Sequence, residues 1–273
     1  MIILGLLFGA LVGFALGLTG GGGSIFAVPL LVYGLSVNAH QAVGISLAAV
    51  GSTALFGAVQ RMRAGQTEVR IGLVFAVFGM AGAPLGSWMS RRTPEPVLLL
   101  LFSALMLSIA IRMWRTARRK LAPSAPAHPG LSEEEGRSCR REAGGRLHFT
   151  SRCALVMAGI GIATGILSGL FGVGGGFIIV PALIFFTGME MHRAVATSLL
   201  VIALVSSSGV ISFVWATHHL DLALTGVFVL GGVAGVSAGT ELGRRISGPR
   251  LQMVFAGFII AVAIFVVVRT LLG

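Results

Sequence analysis

Two glycine runs hold the residues best suited to chemistry in this chain. The first is Gly17-Leu18-Thr19-Gly20-Gly21-Gly22-Gly23-Ser24, with Val28-Pro29 behind it. The second is Gly169-Leu170-Phe171-Gly172-Val173-Gly174-Gly175-Gly176, with Val180-Pro181 behind it. Glycine opens backbone angles closed to other residues and lets another group approach the main chain closely. A short apolar helix is expected to start directly after each run. Its first four N–H groups lack intrahelical partners, and its N-terminus carries about +0.5 charge. Both features suit a bound anion. Gly20, Gly22, Gly23 and Ser24 in the first run, and Gly172, Gly174, Gly175 and Gly176 in the second, are therefore the leading substrate-binding candidates.

Side chains add little to this set. His40 and His192 open the next apolar segment of each half, and each precedes an Ala-Val-x-x-Ser-Leu pattern. Either could hydrogen-bond a substrate or take a proton; the plainer alternative is a histidine at a helix start on the membrane interface. Arg193 could bind an anion directly or snorkel to lipid headgroups. Ser46 and Ser198 lie two turns further on and either line a cavity or bond their own backbone carbonyls. Glu241 is followed within a turn by Arg244 and Arg245, which reads as an interfacial ion pair. Asp221 reads as a helix start. No Lys-Ser/Thr follows the glycines as a phosphate-binding loop requires, and no strand precedes them as a dinucleotide site requires. No triad or metal cluster stands out, so neither an enzyme nor a cofactor is expected. The two cysteines, Cys139 and Cys153, are too few and too badly placed for a disulfide framework or a metal site.

The elements that must position these residues come in duplicate. Residues 13–57, shifted by 152 positions, fall on residues 165–209 with 15 of 45 positions identical, His40 on His192 and Ser46 on Ser198 among them. At a shift of 153, Gly79, Gly82, Gly86, Arg91 and Arg92 meet Gly232, Gly235, Gly239, Arg244 and Arg245. Repeats that carry glycine-broken apolar segments at matching places are the sequence mark of a secondary transporter.

Composition sets the solvent. Apolar residues make up 55% of the 273, charged residues 11%, and mean hydropathy is +0.95. Soluble domains carry roughly 25% charged residues, so this chain faces mostly lipid. The net charge of +11 does not argue for nucleic acid, because the basic residues flank apolar spans as membrane topology predicts. The N-terminus lacks a basic stretch and reads as retained rather than cleaved.

Each half divides alike. Apolar segments 2–18 and 153–170 lead into the glycine runs, and short pieces at 25–35 and 177–187 follow. Spans at 40–60, 70–90 and 96–114, and at 192–215, 221–243 and 250–271, complete the halves. The long spans suit a hydrocarbon core of about 30 Å. The short pieces cover roughly half of it at about 1.5 Å per residue. The first two segments of each half thus read as a broken or re-entrant pair turning at the glycines, where the turn must be buried in protein or face a wet cavity. The expected fold is an all-α polytopic membrane protein of two repeats, residues 1–114 and 151–273. Each has a glycine-broken pair plus three transmembrane helices. Residues 115–150, with three prolines and Glu133-Glu134-Glu135, form a solvated linker.

Arg112, Arg115, Arg118, Arg119 and Lys120 place this linker in the cytoplasm. Counting spans outward puts Arg61, Arg63 and Arg70 inside, Arg91 and Arg92 outside, and their counterparts Arg244 and Arg245 inside. Equivalent loops then face opposite sides, so the repeats are expected to be inverted, with both termini outside.

The doubled pattern, Gly-Leu-x-Gly-x-Gly-Gly, Val-Pro, then His-x-Ala-Val-x-x-Ser-Leu, resembles the TauE/SafE family of sulfite exporters over the whole chain except the linker. The resemblance implies a multi-pass transporter of the bacterial inner membrane. It would export sulfite or a related sulfur-containing or organosulfonate anion, with Gly20, Gly22, Gly23, Gly172, Gly174 and Gly175 shaping the path. The first copy departs from the second at Thr19-Gly20-Gly21, where the second has Phe171-Gly172-Val173, and the two half-sites need not be equal. The expected function is secondary active transport by alternating access, on ion gradients, with a proton as one coupling candidate. An anion channel of the same architecture is the alternative. The expected partners are a small anion and the lipid bilayer. The identity of the anion and assembly into a homo-oligomer stay open.

Overall fold

A computed structural model describes residues 2–21, 23–37, 39–90, 92, 95–121, 151–171, 176–217 and 221–272. Among these, every regular element is helical. The first half holds α1 (Ile2–Thr19), α2 (Gly23–Pro29) running into a π-helical turn (Leu30–Gly34), α3 (Ala39–Arg63), α4 (Val69–Ser90) and α5 (Glu95–Leu121). The second holds α6 (Ser151–Phe171), α7 (Gly176–Thr187), α8 (Met191–Thr217), α9 (Leu222–Arg245) and α10 (Gly248–Leu272). Five helices among the described residues, α1, α3, α4, α8 and α9, are long and apolar enough to cross a membrane.

Local chemistry sets several helix ends. Asp221 caps α9, its carboxylate accepting the Leu224 N–H at 3.0 Å; such caps are typically worth about 1 kcal/mol. Pro96 and Pro249 sit in the first turns of α5 and α10, where a missing N–H costs no intrahelical bond. Pro29 lies at the junction of α2 with the π-turn, whereas its counterpart Pro181 lies inside an uninterrupted α7. The basic cluster Arg115, Arg118, Arg119 and Lys120 continues α5 to Leu121, so the helix carries its cations past position 114 before the linker begins.

Large apolar side chains cover the outside. Leu7, Leu11, Phe56, Val77, Leu85, Leu230 and Trp215 are all more than two-fifths exposed. In water such a surface would aggregate; in hydrocarbon it is the natural exterior. Arg92, just past the end of α4, stacks over the Trp88 ring at 4.0 Å, an amphipathic pair suited to a membrane–water boundary.

Inside, the halves interlock. α1 packs on α9 and α4 on α6, while α3 pairs with α8, α5 with α10, and α2 touches α7. Exchanging the halves maps this set of pairs onto itself. Backbones meet almost without side chains between them. A Cβ added to Gly13 would lie 2.1 Å from the Gly232 oxygen, and one on Gly165 would lie 2.1 Å from the Gly79 oxygen. These glycines are thus packing residues, as small residues are in membrane helices. Contacts also fix direction. Gly9, Gly13 and Gly17 of α1 meet Phe228, Gly232 and Val236 in order, so α1 and α9 are parallel. Gly161 meets Phe75 and Gly165 meets Gly79, so α6 and α4 are parallel too. By contrast Gly44, Gly51 and Gly57 meet Phe213, Ser206 and Leu199, so α3 and α8 run antiparallel. Finally, α2 and the π-turn double back along α1, with Gly23 against Val12 and Gly34 against the Phe8 ring.

Candidate anion site

α1 ends where its backbone turns left-handed. Gly20 has φ +75°, a conformation costly to any residue with a Cβ. Space forbids a side chain as well, because a Cβ here would lie 2.5 Å from Ser198 Oγ and 2.8 Å from Val195 Cα. The Gly20 carbonyl accepts a hydrogen bond from Ser198 Oγ at 2.7 Å, and the same hydroxyl lies 2.9 Å from the Val195 carbonyl. Ser198 is fully buried. It ties the first glycine run to α8 of the other half.

The second run arrives at the same place. Gly176 opens α7, and a Cβ there would lie 3.1 Å from both Cα and O of Gly21. Gly176 and Gly21 thus meet backbone to backbone, and both are buried. Gly176 also lies against Ile202, one turn from Ser206, which meets Gly51 near the middle of the α3–α8 crossing. Gly23 opens α2 and is buried, with its Cβ position 2.3 Å from the Val12 carbonyl. Its immediate role is therefore the tight fit of α2 on α1.

The remaining candidates divide. Gly22, Gly172, Gly174 and Gly175 lie outside the described residues, and so do the side chains of Ser24 and His40, whose backbones belong to α2 and α3. Ser46 is buried in α3. His192 is half-buried in the first turn of α8, against Gly248 and within hydrogen-bonding reach of the Ile246 backbone. Arg193 has a destination the sequence reading did not include. Its Nη1 donates to Glu68 Oε1 at 2.9 Å, and the Glu68 backbone N–H donates to Thr197 Oγ1 at 3.1 Å. Arg193 thus clamps the α3–α4 turn to the start of α8.

Sequence reasoning missed Arg61. Its place after an apolar span marks it only as a topological charge, yet it is 1% exposed and its Nη2 donates to the Gly17 carbonyl at 2.8 Å. A signal existed: Thr53, Gly57 and Arg61 recur every four residues and share the face of α3 turned to α9, whereas Arg63 falls on the exposed side. Helical phase separates these two arginines; composition does not. A separate cavity of about 240 Å³ between α1, α2 and α10 is lined by Leu11, Phe14, Leu18, Phe26 and Val254. Those walls offer an anion nothing.

A helical bundle with an apolar exterior and several helices able to cross a membrane defines a multi-pass membrane protein. Residues 5–266 match the profile of the sulfite exporter TauE/SafE family, and the chain belongs to that family. It is 39% identical over 267 residues to a probable membrane transporter protein of Xylella fastidiosa (strain 9a5c), spanning 96% of this chain and 93% of the relative. It is also 28% identical over 255 residues to the probable membrane transporter protein YunE of Bacillus subtilis (strain 168), spanning 90% and 87%. No solved structure gives a significant match.

Proposed function

We propose that this protein is a secondary active transporter that exports sulfite or a related sulfur-containing anion, such as an organosulfonate, across the bacterial inner membrane by alternating access. The observation that carries this reading is the meeting of Gly21 with Gly176 beside the buried Ser198. There the starts of α2 and α7 come together, and the first N–H groups of a helix, which have no intrahelical acceptor, suit an anion without a charged side chain. Family membership supplies the sulfur-containing anion as the substrate class.

The two halves, residues 1–114 and 151–273, act as inverted repeats joined by a cytoplasmic linker at 115–150, whose first residues, to Leu121, extend α5. Support comes from the antiparallel crossing of α3 with α8, and from α1 running with α9 while α4 runs with α6. In such a pair, rocking one half against the other exposes a central site to each side in turn. Substrate would touch Gly20, Gly22, Gly23, Ser24, Gly172, Gly174, Gly175 and Gly176, with Ser46, Ser198 and the two histidines around them. Arg193 is already engaged by Glu68 and serves mainly to brace the site.

Reconstitution into proteoliposomes tests this. Uptake of sulfite should saturate, and preloaded unlabelled sulfite, sulfate, thiosulfate or small organosulfonates should drive counterflow according to their fit. Large conductive fluxes without exchange would instead identify a channel. No flux of any of these anions would refute the reading.

A further inference from the structure

The described structure has six buried side-chain polar atoms without a hydrogen-bond partner, and they are not scattered. Five belong to residues 60–67, namely Gln60 Oε1, Nε and Nη1 of Arg61, Gln66 Oε1 and Thr67 Oγ1; the sixth is Thr240 Oγ1. Thr240 meets Gly17, the residue whose carbonyl holds Arg61, and Gly243, one turn further along α9, lies against the Arg61 guanidinium. The ends of α1, α3 and α9 thus converge on one arginine.

Among the described residues that arginine has no carboxylate partner. Glu68 is engaged by Arg193 and Glu241 by Arg244 and Arg245, while Glu190 is exposed and acts on His192. Arg244 stands close enough to act on Arg61 electrostatically, which adds positive charge rather than cancelling it. A buried cation without a counter-ion is costly, and an ionisable residue inside a membrane protein is by default a functional one. Capping the end of α1 uses one of the five N–H donors of the guanidinium. The Nε and Nη1 donors are left over.

We propose that Arg61 is an anion-binding residue of the translocation path, its free Nε and Nη1 donors taking an oxyanion of the substrate while Nη2 stays anchored on Gly17. The inference rests on the transport reading and adds a polarity to it. The counterpart of Arg61 in the second half is Phe213 at a shift of 152 or Val214 at a shift of 153, an apolar residue in either register. Among the described residues, a buried arginine therefore lies at one end only. That end also bears Arg63, Arg70, Arg244 and Arg245, the side that charge assigns to the cytoplasm. An anion is captured where export must begin.

The test uses full-length protein in proteoliposomes, with labelled sulfite as the probe and Arg61→Lys, Arg61→Gln and Arg61→Met compared with wild type. Wild type that moves no sulfite and no sulfonate would defeat the transport reading itself, whatever Arg61 does. With wild type active, Arg61→Met and Arg61→Gln should raise the apparent KM for sulfite at least tenfold from the cytoplasmic face. Arg61→Lys should recover part of the loss, and the outer-face KM should change less. Gln keeps a donor for Gly17 and controls for the cap. Melting of the detergent-solubilised proteins supplies a second readout: 10 mM sulfite should raise the wild-type melting temperature and leave Arg61→Gln unmoved. If the variants only melt earlier, with sulfite KM and sulfite protection as in wild type, Arg61 is a helix cap and the proposal is wrong.

Discussion

Ser198 of α8 donates its hydroxyl to the carbonyl of Gly20, 178 residues earlier in the chain, at 2.7 Å. Any change in the angle between the halves must keep or break this bond, because the left-handed turn of the first glycine run is pinned by it. Ser198→Ala should leave the Gly20 carbonyl buried without a donor, at about 1–3 kcal/mol. The expected result is a lower melting temperature together with altered transport. Equal turnover and equal stability in the alanine variant would show that the bond is incidental.

Gly20→Ala adds a methyl group at 2.5 Å from Ser198 Oγ and forces a Cβ into the left-handed region. The backbone penalty alone is roughly 1–2 kcal/mol. Transport should fall at least tenfold, since the turn cannot hold its place against α8. Sulfite counterflow alongside size-exclusion profiles separates this effect from misfolding. Gly22→Leu and Gly174→Leu should each abolish transport while folded protein is still recovered.

Gly13 and Gly165 report on packing instead. With Cβ positions 2.1 Å from backbone oxygens of the partner helix, Gly13→Val and Gly165→Val must push α1 from α9 and α6 from α4. Overpacking of this kind costs typically 1–3 kcal/mol, occasionally more. Thermal melts in detergent should show comparable losses for the two variants. A loss at one site only would mean that the two helix pairs are not equivalent.

The Glu68–Arg193 pair is partly exposed, with side chains 27% and 39% accessible, so its contribution should be about 0.2–1 kcal/mol. Arg193→Gln should therefore change stability little and sulfite KM less than twofold. A tenfold rise in KM would make Arg193 a substrate contact after all.

Proton coupling has a direct check. The double variant His40→Ala/His192→Ala should lose the pH dependence of sulfite flux if either imidazole carries the coupling proton. Full, pH-responsive transport by that variant removes both histidines from the mechanism.

Much of this molecule is legible in its sequence because lipid leaves few choices. Apolar runs must be helices there, since every N–H and C=O has to be satisfied within the segment. Hence the long helices lie where hydropathy places them. The pairing of Glu241 with Arg244 and Arg245, and the cap at Asp221, were readable because they are local. Relations between distant segments were not. Nothing in the order of residues says that Gly176 would touch Gly21, that Arg193 would find Glu68, or that Arg61 would be buried while Arg63 is not. Each depends on helix phase and crossing geometry, which tertiary packing alone sets, because a charge moves from lipid edge to protein interior by a rotation of one residue around the helix. The sequence determined which segments could enter the membrane; the way they cross decided which of their polar groups face one another.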